Sequence, residues 1–325
     1  MGRFLLKTAL YISLLAAIAL LYLLLIYLKP QLVDDFYYRF TTPKASSLIL
    51  GSSRSAQGIK PSVINKRICT EENKIINHSF AIGPSSIGPN YYREVTKKLK
   101  DSNTDGVFII SVDPWTLSTS IKNINDDSTQ FFEVRKELFV GNLKSSSTNP
   151  NMDYLYTYWN NKFSPFGMLF KQAINYKNML ILHRDGWLEM DIDMTPAVVE
   201  QRIQSSTLEY SSKEDKLSET RFFFLEKIIS LLLKHGQVYL VRMPVSLPMA
   251  ELEEMRFPEF DHKIQKVSEK YQLEYINFIS LSGEFKTTDT HHLYKDESER
   301  FTHLLCDSIV AIRQNYYDTV YKYIR

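Results

Sequence analysis

Cysteine is nearly absent: Cys69 and Cys306 are the two in 325 residues. At most one disulfide can form. A compartment outside the cytoplasm would permit it, and two free buried thiols are the plainer expectation. Surplus charge is missing as well, with Lys+Arg 39 against Asp+Glu 37 and a net charge of +2. Nucleic-acid binding needs concentrated positive charge, so that class of partner is excluded. No internal repeat and no low-complexity tract is found. Metal chemistry has little to rest on: adjacent histidines in "DTHHLYKD" (289–296) form the one suggestive stretch, and no second ligand cluster accompanies it. The sequence therefore implies no metal and no cofactor.

Charge is also missing, locally and completely, from Thr8 to Leu28, "TALYISLLAAIALLYLLLIYL". Such a run is long enough to cross a bilayer core as a helix, which takes about 20 residues. A signal peptide would have a shorter apolar core followed by a small-residue cleavage site. Here Ala16, Ala17 and Ala19 lie mid-run, and leucines and tyrosines continue past them. The run reads as an uncleaved anchor over residues 1–30. Arg3, Lys7 and the amino terminus on its near side favour a cytoplasmic N-terminus, with everything after Pro30 periplasmic or extracellular. A buried core helix is the competing reading of the same run.

Residues 31–46 form a linker. Beyond it, short apolar runs alternate with helical patterns. Strands are expected at Ser47–Leu50, 74–77, 106–112, 237–243 and 273–278, and "GVFIISV" (106–112) has the unbroken apolar character of a buried parallel strand. Helices are expected at 91–100, at 221–236 closed by Gly236, at 261–272 and at 298–317. In the last, Phe301, Leu304, Leu305, Ile309 and Ile312 share one face. Strands alternating with helices imply an α/β domain over 47–325, with a mostly parallel five-stranded sheet covered on both faces. Ligands in such folds bind beyond the carboxyl ends of the strands. Residues 116–220 break the alternation and are too long for a structureless loop. They read as a mostly helical, aromatic-rich insertion, whose aromatics either line a substrate groove or fill the insertion's own core. Asn77-His78-Ser79 matches the glycosylation acceptor pattern.

The first strand runs into Gly51-Ser52-Ser53. Small residues suit a simple strand-ending turn. A serine placed there could also be a nucleophile, provided a base takes its proton and a carboxylate orients that base. After the last strand come Asp289 and His292, three residues apart in a loop. A capped loop with a solvated histidine is the plain reading of these two. In a parallel sheet, however, the ends of the first and last strands open on the same edge, so Ser53, His292 and Asp289 could meet.

These blocks resemble those of the SGNH/GDSL hydrolase superfamily. The likeness is greatest to its membrane-anchored, cell-envelope branch, which includes alginate O-acetylation proteins and the D-alanyl-lipoteichoic acid protein. In that family the first strand ends in Gly-Asp-Ser or Gly-Ser-Ser, and the last block is Asp-x-x-His. The resemblance covers roughly Ser47–Ser118 and Gln237–Ile312, and the insertion has no counterpart. It implies a three-layer α/β/α sandwich, with Ser53 as nucleophile, His292 as base and Asp289 as its partner. It also implies an acyl-ester substrate, O-acetyl on a cell-envelope or exported polysaccharide, and a membrane acyltransferase as a partner. Gly83 matches the second block, whose backbone N–H faces the oxyanion. In the third block the family's asparagine donor is replaced by Asp113. An ionised carboxylate only accepts hydrogen bonds and repels an oxyanion, so this departure puts the second donor in question. Arg54 and Arg242 are candidates to replace it and to touch substrate, or else are ion-paired structural residues. Trp115 could stack on a sugar or pack in the core. A non-enzymatic accessory or glycan-binding protein on the same fold is the rival reading.

Overall fold

A computed structural model describes residues 1–28, 36–80, 87–101, 105–122, 140–160 and 179–324. The first helix, α1 (Gly2–Leu28), contains a stretch, Gly2–Leu21, with mean hydropathy 2.2 and none of it buried against the rest of the chain. It is long and apolar enough to span a membrane.

Five strands build the central sheet: β1 (Ser47–Leu50), β2 (Ile75–Asn77), β3 (Gly106–Ser111), β8 (Gly236–Arg242) and β9 (Glu274–Asn277). Their order is β2-β1-β3-β8-β9, and all four pairings are parallel. The alternation of a strand's side chains divides the core in two. Leu48, Leu50, Phe108, Ile110, Val238 and Leu240 face one way, and Ile49, Val107, Ile109, Tyr239 and Val241 face the other. The first cluster is covered by α2 (Tyr37–Thr41), α5 (Pro89–Lys98), α8 (Glu219–Leu232) and α10 (Phe260–Tyr271). The second is covered by α4 (Pro61–Arg67) and α11 (Lys295–Ile324). Phe301, Leu305 and Ile309 of α11 are buried in it, with Leu304 and Ile312 partly buried beside them. The sequence places α8's end at Gly236; the helix stops at Leu232 and Gly236, at φ 154°, opens β8 instead. Cys69 and Cys306 are free thiols, and burial raises the pKa of both, that of Cys306 to about 11.

Among the described residues of 116–220, short strands accompany the expected helices. Two antiparallel pairs occur there. β4 (Ser118–Ser120) pairs with β7 (Asp215–Leu217), and β5 (Met179–Leu182) forms a hairpin with β6 (Leu188–Asp191). Asp185-Gly186, with Gly186 at φ 85°, supplies the turn. The helices are α6 (Met152–Asn160) and α7 (Pro196–Ser211). Tyr154 stacks on Phe40 at 5.1 Å and Trp187 is buried, so these two aromatics are core. The other aromatics of 161–178 lie outside the described residues. The hairpin docks on the segment after β1: Trp187 Nε1 donates to Gln57 O at 2.7 Å. Asn77, the glycosylation candidate, is buried, and its amide nitrogen donates to Ser55 O and Ile59 O. The folded chain therefore does not present it.

Candidate active site

The order of strands reverses between β1 and β3, and the crevice at their carboxyl ends is where such sheets bind ligands. Gly51 makes the turn there, at φ 144°. A Cβ on it would lie 2.9 Å from Ser111 Cβ and collide with Ser55 Oγ, so glycine is required. Tyr91 Oη accepts the Gly51 N–H at 2.8 Å. Ser52 caps the short helix α3 (Ser53–Gly58), its Oγ accepting from Arg54 N at 3.3 Å. Ser53 is thereby the first residue of α3, half-buried, with its N–H beyond the reach of intrahelical acceptors.

Ser53 Oγ lies 2.8 Å from His292 Nε2, and His292 Nδ1 lies 2.8 Å from Asp289 Oδ2. Asp289 Oδ1 accepts the backbone N–H of His291 at 2.9 Å and of His292 at 3.0 Å. The loop is folded around this carboxylate. The histidine follows the aspartate at i+3, a spacing that lets one side chain bind both the backbone and the ring of the same turn. Burial alone would raise the Asp289 carboxyl. The charge and hydrogen bond of His292, with His291, outweigh burial and hold it well below the usual carboxylate range. An ionised Asp289 fixes the proton of His292 on Nδ1 and leaves Nε2 as the acceptor facing Ser53. Chemically, the arrangement can take a proton from Ser53 as its oxygen attacks an electrophile.

His291 is not the partner of Ser53. Its ring lies against that of His292, centroids 4.0 Å apart, and burial together with the neighbouring His292 charge keeps its pKa well below the ordinary value. Asp289, His291 and His292 would suit a metal ion by ligand type. Both Asp289 oxygens, however, already accept hydrogen bonds from the two histidines.

The remaining candidates are placed differently. Gly83 lies outside the described residues. Asp113 caps the turn Pro114–Leu117: Oδ1 accepts from Thr116 N at 2.9 Å and Oδ2 from Ser52 Oγ at 3.2 Å. Both of its oxygens act as acceptors, so the structure gives it the role of a cap and not of a donor. Arg54 and Arg242 are buried, and Trp115 is partly buried. All three converge on Glu253 in α9 (Leu247–Arg256). Arg54 donates to Oε1 at 2.6 Å, Trp115 to Oε1 at 2.9 Å and Arg242 to Oε2 at 3.0 Å. Glu253 is 0% exposed and each arginine 3%. Arg242 also pairs with Asp261 at 2.6 Å.

Sequence reading missed Glu253, because a glutamate in "AELEEMR" has the pattern of a solvated face. It also missed Asn77, whose amide ties the end of β2 to α3, and Ser79, whose Oγ lies 2.9 Å from Ser55 Oγ. A scan of protein-family models and a search of curated proteins find no match to this chain.

Proposed function

We propose that the chain is a membrane-anchored serine esterase or O-acyltransferase of the SGNH/GDSL type, built as a three-layer α/β/α sandwich on the apolar N-terminal helix. The observation that carries this reading is the continuous relay Ser53 Oγ–His292 Nε2, His292 Nδ1–Asp289 Oδ2, each step 2.8 Å. These distances are inside the range for proton transfer. Support for the substrate class comes from the resemblance in the first and last blocks and from the apolar helix α1. Together they point to acyl esters, O-acetyl in particular, on a cell-envelope or exported polysaccharide, with a membrane acyltransferase as partner.

In this mechanism Ser53 Oγ attacks the ester carbonyl carbon while its proton passes to His292 Nε2. The tetrahedral oxyanion lies against the Ser53 N–H and, in this reading, that of Gly83. Collapse breaks the C–O bond, and His292 returns the proton to the departing alkoxide, leaving acyl-Ser53. Water or a sugar hydroxyl, giving its proton to His292 Nε2, then attacks the acyl carbon; the acyl–Oγ bond breaks, and His292 returns the proton to Ser53 Oγ. Asp289 stays ionised throughout and stabilises the imidazolium.

One observation favours a second reading, an accessory or glycan-binding protein without turnover. Asp113 stands where a donor is needed, and losing one oxyanion donor costs on the order of 10²–10³ in rate. Labelling the full-length, detergent-solubilised protein with a fluorophosphonate, followed by peptide mapping, separates the two. Modification at Ser53 that disappears in His292→Ala is the expected result. A folded sample that stays unlabelled would establish the accessory reading.

A further inference from the structure

The loop Thr288–His292 sits outside the five-stranded sheet; the Ser246 N–H donates to Thr290 O at 2.9 Å, and side chains add to this one backbone tie. α7 supplies contacts at three successive turns. Arg202 Nε donates to Thr288 O at 2.7 Å, and its Nη2 lies 3.8 Å from Asp289 Oδ2. Ser206 Oγ and Thr290 Oγ1 share a hydrogen bond at 2.6 Å. Tyr210 places its hydroxyl 3.5 Å from His291 Nε2 and its ring edge-on to the imidazole at 5.0 Å. The spacing i, i+4, i+8 puts all three residues on one helix face. That face meets four consecutive loop residues, including Asp289 and the histidine that packs on His292.

Besides these contacts, Tyr210 lies edge-on to Trp115 at 4.7 Å and packs against the cluster of Val245, Met249 and Leu252. None of the side chains of α7 is fully buried. Under its first half lies an open cleft of about 470 Å³ between Val199 and Ile203 on one side and Leu247 and Phe285 on the other. Its far end is held by Arg256, which donates to Ser211 O and Lys213 O. Burial pushes the Tyr210 phenol up to about 12, so at neutral pH it remains a hydroxyl.

We propose that α7 is a positioning element for the general base, with Arg202, Ser206 and Tyr210 holding the Asp289–His292 loop in register with Ser53. This rests on the reading of Ser53 and His292 as nucleophile and base. The insertion, which has no counterpart in the resemblance, then completes the site.

The test measures the rate of Ser53 phosphonylation in full-length protein, normalised to folded molecules by circular dichroism. Wild type is compared with R202Q/S206A, R202K and Y210F. A displacement near 1 Å at a reacting pair can cost about 10²-fold, so R202Q/S206A should react about 10- to 100-fold more slowly. R202K should recover most of the rate, since a lysine can still donate to Thr288 O and keep a cation near Asp289. A wild-type rate in R202Q/S206A overturns the proposal. If that variant does not fold, Y210F, which removes one hydroxyl, carries the same comparison, with slowing expected and an unchanged rate overturning it. If wild type itself is not phosphonylated, the reading of the site has failed, and NMR of the His292 Nδ1 proton decides the positioning role separately. A resonance protected from exchange in wild type and lost in R202Q/S206A supports it, and equal protection in both overturns it.

Discussion

At the scale of single residues, Glu253 is the most exposed to mutation among those around the candidate site. Its carboxylate receives Arg54, Arg242 and Trp115, and all but Trp115 are buried. Two guanidiniums share one carboxylate, with Asp261 as a further partner of Arg242. Replacing Glu253 by Gln keeps the shape and removes the charge, which strands the buried Arg54 cation and leaves Arg242 with Asp261 alone. Breaking a buried pair in this way costs about 3–5 kcal/mol. Glu253→Gln should therefore lower stability by that order in urea or guanidinium unfolding. Trp115→Phe should lose less, about 1.5–3 kcal/mol, from the missing hydrogen bond to a charged acceptor. Equal losses in the two variants would mean that packing, not charge, dominates the network. Arg54 follows Ser53 directly, so the same substitution should also slow Ser53 labelling in the molecules that remain folded.

At the scale of elements, what could be read from the sequence was set by how each segment meets water. The five strands are legible because both faces of the sheet are apolar, and their limits differ from expectation by a residue or two. Ser53, Asp289 and His292 are legible because the capped turn and the Asp-x-x-His turn each have a local chemical signature. The hairpin Met179–Asp191 was hidden inside a long segment read by its aromatics, although Asp185-Gly186 marks its turn. Buried polar pairs were not legible at all. In "YYREVTKKLK", Glu94 and Lys98 have the i, i+4 spacing of a solvated pair, yet both are fully buried. Lys98 Nζ donates to Arg39 O, Thr42 O and Oγ1, and Ser146 O, which ties α2 and the segment around Ser146 to α5. Glu94 accepts from Gly141 N at 2.9 Å and lies 3.3 Å from His78 Nε2. The other ring nitrogen of His78 finds no partner among the described residues.

This arrangement sets a pH dependence. Burial lowers the His78 pKa to about 4, against the opposing pull of Glu94 and with the help of Lys98 and Arg39. The unfolded chain takes up this proton near pH 6.5, while the folded chain does not until about pH 4. The stability contributed by neutral His78 is thus fully present above pH 6.5 and is lost as pH falls to about 4. At about 1.4 kcal/mol per unit, the window amounts to about 3 kcal/mol. Glu94, also lowered, acts in the same direction at lower pH. In urea titrations between pH 7 and 4, wild type should lose about 3 kcal/mol more than His78→Gln. Parallel curves would show that His78 is already charged in the folded protein.

At the scale of the whole molecule, α1 stands apart from every packing relation described above. Phe4, Leu5, Leu6, Leu10, Ile12, Leu14 and Leu15 are each more than half exposed. Leaving side chains of this kind in water costs about 1.5–3 kcal/mol apiece, which over the helix is on the order of tens of kcal/mol. The helix is long and apolar enough for a bilayer to take it up, which would remove that cost. Nothing in the two apolar clusters depends on α1, since its Gly2–Leu21 stretch is unburied. Removing residues 1–28 should therefore convert a protein that stays with membranes through alkaline extraction into one that is released. The released protein should keep its unfolding midpoint and its rate of Ser53 labelling. Loss of both on truncation would mean that α1 packs against the domain rather than into lipid. Sidedness has its own readout. If the domain faces away from the cytoplasm, protease added to sealed right-side-out vesicles digests it, while inside-out vesicles protect it. The opposite pattern would put the domain in the cytoplasm, away from exported glycans, and would remove the polysaccharide substrate from the proposed reading while leaving the relay at Ser53 intact.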